Sequence, residues 1–203
     1  MQLLKLKIIL ILAVLFTLSA CNQVRPSNQN ISASQTTNEV AAANLDLGIE
    51  YMKQGAYENA LKNLEKAKKA DPNYAPIYNV TGLLYQKLGD SKKAENNFKR
   101  ALSLNKNDSS TLNNYGNYLC QQNRLEEAEN TFLKAASNPL YESPEIAITN
   151  AGLCLSSYDR EKEAEKYYRQ ALQLNPRVPQ ALIKMCEISF KLPNHLSARG
   201  YLQ

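Results

Sequence analysis

A repeat with a period of 34 residues constrains the fold of this chain more than any other feature. Gly48, Gly82 and Gly116 are spaced 34 residues apart, Gly152 follows after 36, and Cys186 comes 34 later. Alanines recur in register, 12 and 19 residues after these positions: Ala60, Ala94, Ala128, Ala164 and Ala198, then Ala67, Ala101, Ala135 and Ala171. Repeats of this length are typical of stacked supersecondary units that share one core.

The residues of each unit fit a pair of antiparallel helices. A small residue at the glycine position lets the two helices approach without a Cβ clash, and the first alanine after it is the facing small residue. Large side chains fill the space around this contact, as ridges-into-grooves packing requires; they are Tyr51, Tyr85, Leu64, Phe98, Phe132 and Tyr168. We therefore interpret this stripe as core and not as a cofactor site.

The pattern resembles the tetratricopeptide repeat. The resemblance implies an all-α fold, a right-handed solenoid of antiparallel helix pairs with five repeats, the last incomplete. The predicted units are 41–74, 75–108, 109–142, 145–178 and 179–203. Turns inside the units are predicted at Gly55, Gly89 and Asn123, where the residue type suits a helix end. Because only a neighbour covers the apolar face of a unit, we expect the units to be stable as a stack.

Two irregularities interrupt the array. Two extra residues fall in the segment 136–144, where Asn138, Pro139 and Pro144 predict a loop. This loop is either a tolerated insertion or a bend that changes the superhelix. The fifth unit has Pro193 in its turn and stops at Gln203, so either the chain is truncated or its last helix relies on another protein.

The first 21 residues have the pattern of a secretory signal. Lys5 and Lys7 precede an apolar run over 8–18, which at 11 residues is too short to span a bilayer. The run ends in Leu18-Ser19-Ala20-Cys21, which resembles the bacterial lipobox with Cys21 as the lipidated first residue of the mature protein. The alternative is an ordinary signal peptide with a chance cysteine.

The predicted domains are a signal peptide over 1–20, a lipidated cysteine and flexible tether over 21–40, and the repeat domain over 41–203. The tether is rich in polar residues and has no apolar period, so it cannot recover its ordering entropy by burial. In bacterial lipoproteins an aspartate after the lipidated cysteine commonly retains the protein at the inner membrane. This chain has Asn22 there, so the resemblance implies the outer membrane, with the repeats facing the periplasm.

Composition excludes several classes of function. Removal of Lys5 and Lys7 with the signal leaves 22 basic and 19 acidic side chains, a net charge of +3, which is too mild for a nucleic-acid stripe. His195 is the single histidine and cannot complete a Cys/His zinc set. No nucleophile–base pair or phosphate loop stands out. We therefore predict a protein that is not an enzyme, with no metal, no cofactor beyond the covalent lipid on Cys21, no nucleic acid and no small-molecule substrate.

The remaining cysteines suggest one disulfide. Cys120 and Cys154 lie in the last turns of neighbouring first helices. Helix axes about 8–10 Å apart make a Cα separation of about 4.4–6.8 Å feasible at the contact line, and a periplasmic address permits oxidation. We predict a Cys120–Cys154 bridge, against the alternative of two small buried residues. Cys186 takes a glycine position and is predicted to be a buried thiol.

In this repeat class the first helices line a concave surface. The predicted partner-binding groove has an apolar stripe in unit one and mainly amides in the next two units: Leu45, Ile49, Met52, Asn79, Leu83, Gln86, Asn113 and Asn117. Amides can pair with the backbone of an extended peptide, and the stripe resembles a helix-in-groove site. The alternative is that the tether or a neighbouring helix covers the stripe.

A more specific resemblance rests on four short segments: Asn113-Asn114-Tyr115-Gly116, Leu119-Cys120, Asn138-Pro139-Leu140-Tyr141 and Gly152-Leu153-Cys154. With the lipobox, they resemble the type IV pilus biogenesis and stability lipoproteins. The resemblance implies a pilotin, which binds the secretin subunit of the pilus machinery and promotes its outer-membrane localisation and multimerisation. The alternative is a general envelope scaffold, in β-barrel assembly or cell-wall enzyme recruitment, that binds peptides through the groove.

Overall fold

Nine α-helices, and no strand, make up residues 33–191, the part of the chain that the computed structural model describes. They are α1 (Ala33–Lys53), α2 (Tyr57–Ala70), α3 (Ala75–Lys87), α4 (Ser91–Leu104), α5 (Ser109–Gln121), α6 (Leu125–Ala136), α7 (Pro144–Ser156), α8 (Glu161–Leu174) and α9 (Pro179–Lys191). The predicted signal peptide, Cys21, the turn at Pro193 and His195 lie outside the described residues. The array confirms the all-α repeat fold.

The recurring glycines and alanines pack the two helices of a unit closely together, as the sequence predicts. A Cβ atom added to Gly116 would lie 2.7 Å from Cε1 of Phe132, and one added to Gly152 would lie 2.7 Å from Cε1 of Tyr168. The alanines of the second helices are fully buried: Ala60, Ala67, Ala94, Ala101, Ala128, Ala135, Ala164 and Ala171. The two helices of each unit are therefore as close as their backbones allow.

The turns inside the units lie where they were predicted. Gly55 and Gly89 have φ +77°, in the left-handed region that favours glycine. Asn123 takes the same role in unit three with φ 58°, and Asp159 in unit four with φ 59°. Asn and Asp tolerate this region better than other side chains do, so each first helix reverses into its second over a few residues.

The first helix begins earlier than expected. The predicted tether over 21–40 is too long at its end, because α1 starts at Ala33, eight residues before the predicted repeat domain. Ala41, Ala42 and Ala43 follow directly on the added stretch 33–40, and alanine is the strongest helix former. Ala41 is also fully buried, so packing holds the helix where the added stretch joins it.

The core is continuous between units. Phe98 of α4 lies 5.7 Å, centroid to centroid, from both Tyr115 and Tyr118 of α5. Ala151 and Cys154 of α7 belong to the same buried cluster. Units two, three and four therefore share apolar contacts that no single unit could form.

The insertion lies in the link between α6 and α7. This link covers 137–143, whereas the other links between units cover 71–74, 105–108 and 175–178. Helix α6 has 12 residues and the other second helices have 14. The predicted loop is confirmed, and its turn brings the side chain of Leu140 to the surface.

Candidate partner-binding surface

The residues of the predicted groove lie at two depths. Leu45 and Asn79 are buried, whereas the others are half-buried: Ile49, Met52, Leu83, Gln86, Asn113 and Asn117.

Leu45 does not lie on an open surface, and this part of the groove prediction is wrong. Its side chain is 5 % exposed. It belongs to the core cluster that includes Leu64 of α2 and Ile77 of α3. The fifth position of a first helix faces the first helix of the next unit, which covers it. Ile49 and Met52 pack against the same cluster and leave only part of their surface open.

Two asparagines of the predicted groove accept hydrogen bonds from amides of neighbouring first helices. Asn114 donates from Nδ2 to Oδ1 of Asn79 at 3.1 Å, which joins α5 to α3. Asn150 donates to Oδ1 of Asn113 at 2.9 Å, which joins α7 to α5. A primary amide has two N–H donors and an oxygen that accepts twice, so each pair keeps hydrogen-bonding capacity for a ligand.

A second row of contacts runs nearer the C-terminal ends of the first helices. Gln86 donates to Oε1 of Gln121 at 2.7 Å. A shallow hollow of about 280 Å³ lies beside this pair and is lined also by Leu83 and Lys87. Its size and polarity suit a small side chain or a stretch of main chain. Asn117 is half-buried on the same helix as Gln121.

The disulfide closes the same row between units three and four. Cys120 and Cys154 are bonded, with their Cα atoms 5.8 Å apart. Tyr158 also donates from its hydroxyl to the carbonyl oxygen of Cys120 at 2.8 Å. Cys186 is a buried free thiol, as predicted. Helix α5 is thus bonded to both neighbouring first helices, towards its start through amides and near its end through Gln121 and Cys120.

A cluster of charged groups joins units two and three at a place separate from the row of amides and the disulfide. Arg124 donates to Glu95 Oε1 at 2.7 Å, Lys99 Nζ lies 2.8 Å from the same oxygen, and Tyr115 donates to it at 3.2 Å. The hydrogen bond from Arg124, followed by that from Lys99, lowers the pKa of Glu95 to about 2. Burial, and then the charge of Glu95, raises the pKa of Tyr115 to about 12. Neither group changes its charge near neutral pH, so the cluster is structural.

An apolar strip on α1 escaped the sequence reasoning. Val40 and Leu47 are spaced seven residues apart, so they share one helix face, and their side chains are 47 % and 50 % exposed. Exposed acidic residues flank the strip, Glu39 beside Val40 and Asp46 beside Leu47. We call these four residues the α1 strip.

Comparison across the units explains this exposure. In later units, the residue at the position of Leu47 is buried against the two helices of the preceding unit. These residues are Thr81, Tyr115, Ala151 and Met185. No described helix precedes α1, so Leu47 stays open. The signal was present in the sequence as an apolar residue at a stacking position of the first unit.

The described residues hold no group of three or more His, Cys, Asp or Glu side chains placed to bind a metal ion. Nor does any helix of this part of the chain have the length and apolarity needed to cross a membrane.

Comparisons with known proteins agree with the repeat. Tetratricopeptide-repeat family models match residues 39–107, 97–130 and 147–178. No curated protein sequence matches significantly. Among solved structures, MamA has a TM-score of 0.61 at 19 % identity over 81 % of this chain and 88 % of its own, which supports the fold alone.

Two pilus proteins are more informative. PilF of Pseudomonas aeruginosa is 29 % identical, with a TM-score of 0.76, over 82 % of this chain and 75 % of its own. PilW, described as a widely conserved type IV pilus biogenesis factor, is 32 % identical, with a TM-score of 0.70, over 81 % of this chain and 74 % of its own. Both matches extend across most of the repeat array. The chain therefore belongs to the tetratricopeptide-repeat proteins of type IV pilus biogenesis, the family of PilF and PilW.

Proposed function

We propose that this protein is a pilotin, an outer-membrane lipoprotein that binds the secretin subunit of the pilus machinery and promotes its localisation and multimerisation. The observation that carries the proposal is the match to PilW over 81 % of the chain at 32 % identity. Tetratricopeptide arrays present extended surfaces to protein partners, which suits a carrier.

The proposed anchor is lipid on Cys21. The segment Leu18-Ser19-Ala20-Cys21 has the small residues and the thiol that lipid attachment requires. Two or more acyl chains would hold the protein on the membrane durably, since each buried CH₂ contributes about 0.8 kcal/mol. The secretin subunit would then travel with the anchored array.

The α1 strip is the better candidate for the secretin contact than the predicted groove. Its apolar side chains are open, whereas Leu45 and Asn79 of the predicted groove are buried. Its chemistry fits an amphipathic helix of the secretin with an apolar stripe and basic residues beside it. The basic residues would meet Glu39 and Asp46, as electrostatic complementarity favours.

Deletion of the gene tests the function. In the deletion strain we expect loss of secretin multimers and of surface pili, with the envelope otherwise intact. In a strain with the Cys21→Ser variant we expect the same loss of outer-membrane multimers. Normal multimers in the deletion strain would refute the pilotin role. General envelope defects would favour the alternative of a broad assembly scaffold.

Leu47→Glu tests the α1 strip. Full burial of a leucine contributes about 1.5–3 kcal/mol, and half of the Leu47 surface is still open, so binding of purified secretin subunit should weaken at least threefold. Because Leu47 is half exposed, the urea midpoint should not change. Leu174→Glu is the matched control, since Leu174 of α8 is 54 % exposed and should tolerate the change without loss of binding. Equal affinity of the Leu47→Glu variant and the wild type would exclude the strip as the contact.

A further inference from the structure

The links that follow the four second helices are built on one turn. In each, an Asp or Asn side chain accepts a hydrogen bond from the backbone N–H two residues later: Asp71 from Asn73 (2.9 Å), Asn105 from Asn107 (3.4 Å), Asn138 from Leu140 (3.0 Å) and Asn175 from Arg177 (3.0 Å). The donor position is polar in three turns and leucine in one. Leu140 therefore stands where the same local structure elsewhere has a hydrophilic side chain.

The turn that carries Leu140 is fixed in place. Asn138 donates from Nδ2 to the carbonyl of Asn107 at 3.1 Å and to Oγ of Ser109 at 3.0 Å. The N–H of Tyr141 donates to the carbonyl of Asn138 at 3.0 Å. Tyr141 is half-buried and packs against the cluster that contains Leu112. Asn138 and Tyr141 are both anchored to the array, so the backbone position of Leu140 between them is set before any partner arrives.

Leu140 is nevertheless 87 % exposed, more than any other large apolar side chain between 38 and 190. Nothing in the fold requires leucine there, since the turn forms equally with Asn or Arg. A protruding apolar side chain on a fixed backbone binds with less loss of entropy than one on a mobile loop.

The surface beside Leu140 is polar and acidic. Leu140 and Tyr141 form part of the wall of a cleft of about 410 Å³, whose other lining residues are serines, asparagines, Asp108 and Glu142. After burial, the charges of Glu145 and Asp108 also raise the pKa of the Tyr141 hydroxyl, as expected in a negative local field. Apart from Leu140 itself and Tyr141, the cleft is lined by polar side chains, so a matching apolar surface for Leu140 has to come from a pocket on the partner.

We propose that the Leu140 turn, residues 138–141, docks into an apolar pocket on a folded domain of the secretin subunit, and that basic side chains at the rim of this pocket meet Asp108 and Glu142. An extended peptide has no concavity to receive a single protruding leucine, which is why the partner surface is a folded one. The proposal rests on the proposed function for the identity of the partner. It adds a second contact, far in sequence from the α1 strip.

Binding of the full-length lipidated chain in detergent to the purified secretin subunit tests this contact. Leu140→Asn introduces the residue that the first two turns carry, so the turn should form and the urea midpoint should not move. We expect affinity to fall at least tenfold, as loss of one buried leucine implies. Leu174→Asn, at another exposed leucine, should bind as the wild type does. A photoreactive phenylalanine analogue at position 140 should cross-link to a folded secretin domain, and the same analogue at 174 should not.

The outcomes separate the two proposals. Undiminished binding by Leu140→Asn, or cross-links from position 140 only to a second copy of this chain, would overturn the Leu140 contact and leave the pilotin role standing. No binding of secretin by the wild type would overturn both.

Discussion

Removal of the Cys120–Cys154 disulfide should lower the free energy of unfolding by several kilocalories. The bond joins residues with a sequence separation of 34. In the chain-entropy description, closing a loop of that length removes about 12.6 cal/mol/K from the unfolded state, or about 3.8 kcal/mol at 25 °C. The bond also spans the junction that carries the two-residue insertion, where the link between units is longer than in the other three.

Urea unfolding of the signal-free chain, followed by circular dichroism, measures this effect. With a slope of about 2 kcal/mol/M for a domain of this size, Cys120→Ala/Cys154→Ala should unfold at roughly 2 M less urea than the oxidised wild type. Addition of reductant should move the wild type in the same direction and leave the double variant unchanged. Cys186→Ala is the control, because Cys186 is buried but forms no bridge, so its response to reductant should equal that of the wild type.

Hydrogen exchange adds a spatial test. Repeat arrays are stabilised by nearest-neighbour interfaces, so loss of the clamp should deprotect α7 and α8 before α3 and α4. If oxidised wild type and double variant unfold at the same urea concentration, the loop-closure argument does not hold for this protein. Uniform deprotection along the array would contradict the assignment of the bond to one junction.

Two further perturbations test the packing and the charges. Gly116→Ala should destabilise the fold by up to about 2 kcal/mol, since overpacking against Phe132 costs about 1–3 kcal/mol and better helix propensity recovers about 1. Gly48→Ala, which meets the flexible Leu64 at 3.0 Å, should cost less. Equal urea midpoints for the two variants would reject the packing argument. Glu95, whose pKa is lowered from 4.5 to about 2, contributes stability that is complete above pH 4.5 and is lost as pH falls toward 2. In the Glu95→Gln variant, the unfolding free energy should therefore fall less between pH 4.5 and pH 2 than in the wild type. An equal fall in both proteins would show that Glu95 does not contribute to stability in this way.

The packing inside each unit could be predicted because it is encoded by residue size at fixed spacing. Gly116 facing Phe132 and Ala128 needs no knowledge of the neighbours, and the 34-residue period identifies the pairs. The disulfide followed from the same register. The left-handed turn positions also followed, since Gly55, Gly89 and Asn123 are among the few residues that suit them.

The surface could not be predicted as well, because it depends on how the units stack. Leu45 was assigned to a wet face, yet the next unit covers it. The pairing of Asn79 with Asn114 joins residues 35 apart and depends on the rotation between units. Leu140 looked like one residue of a loop, and only the recurrence of the same turn in three other links shows that its apolar side chain is out of place there.

The bonds that helix α5 makes to its two neighbours restrict how the array can deform. Its amide bonds to α3 and α7, the Gln86–Gln121 pair and the disulfide fix the spacing of three first helices at two heights. This side of the middle units can therefore neither widen nor shear without breaking bonds, and elastic bending is left to the ends of the array. We therefore expect the distances between α3, α5 and α7 to vary less in solution than those between the helices of the terminal units.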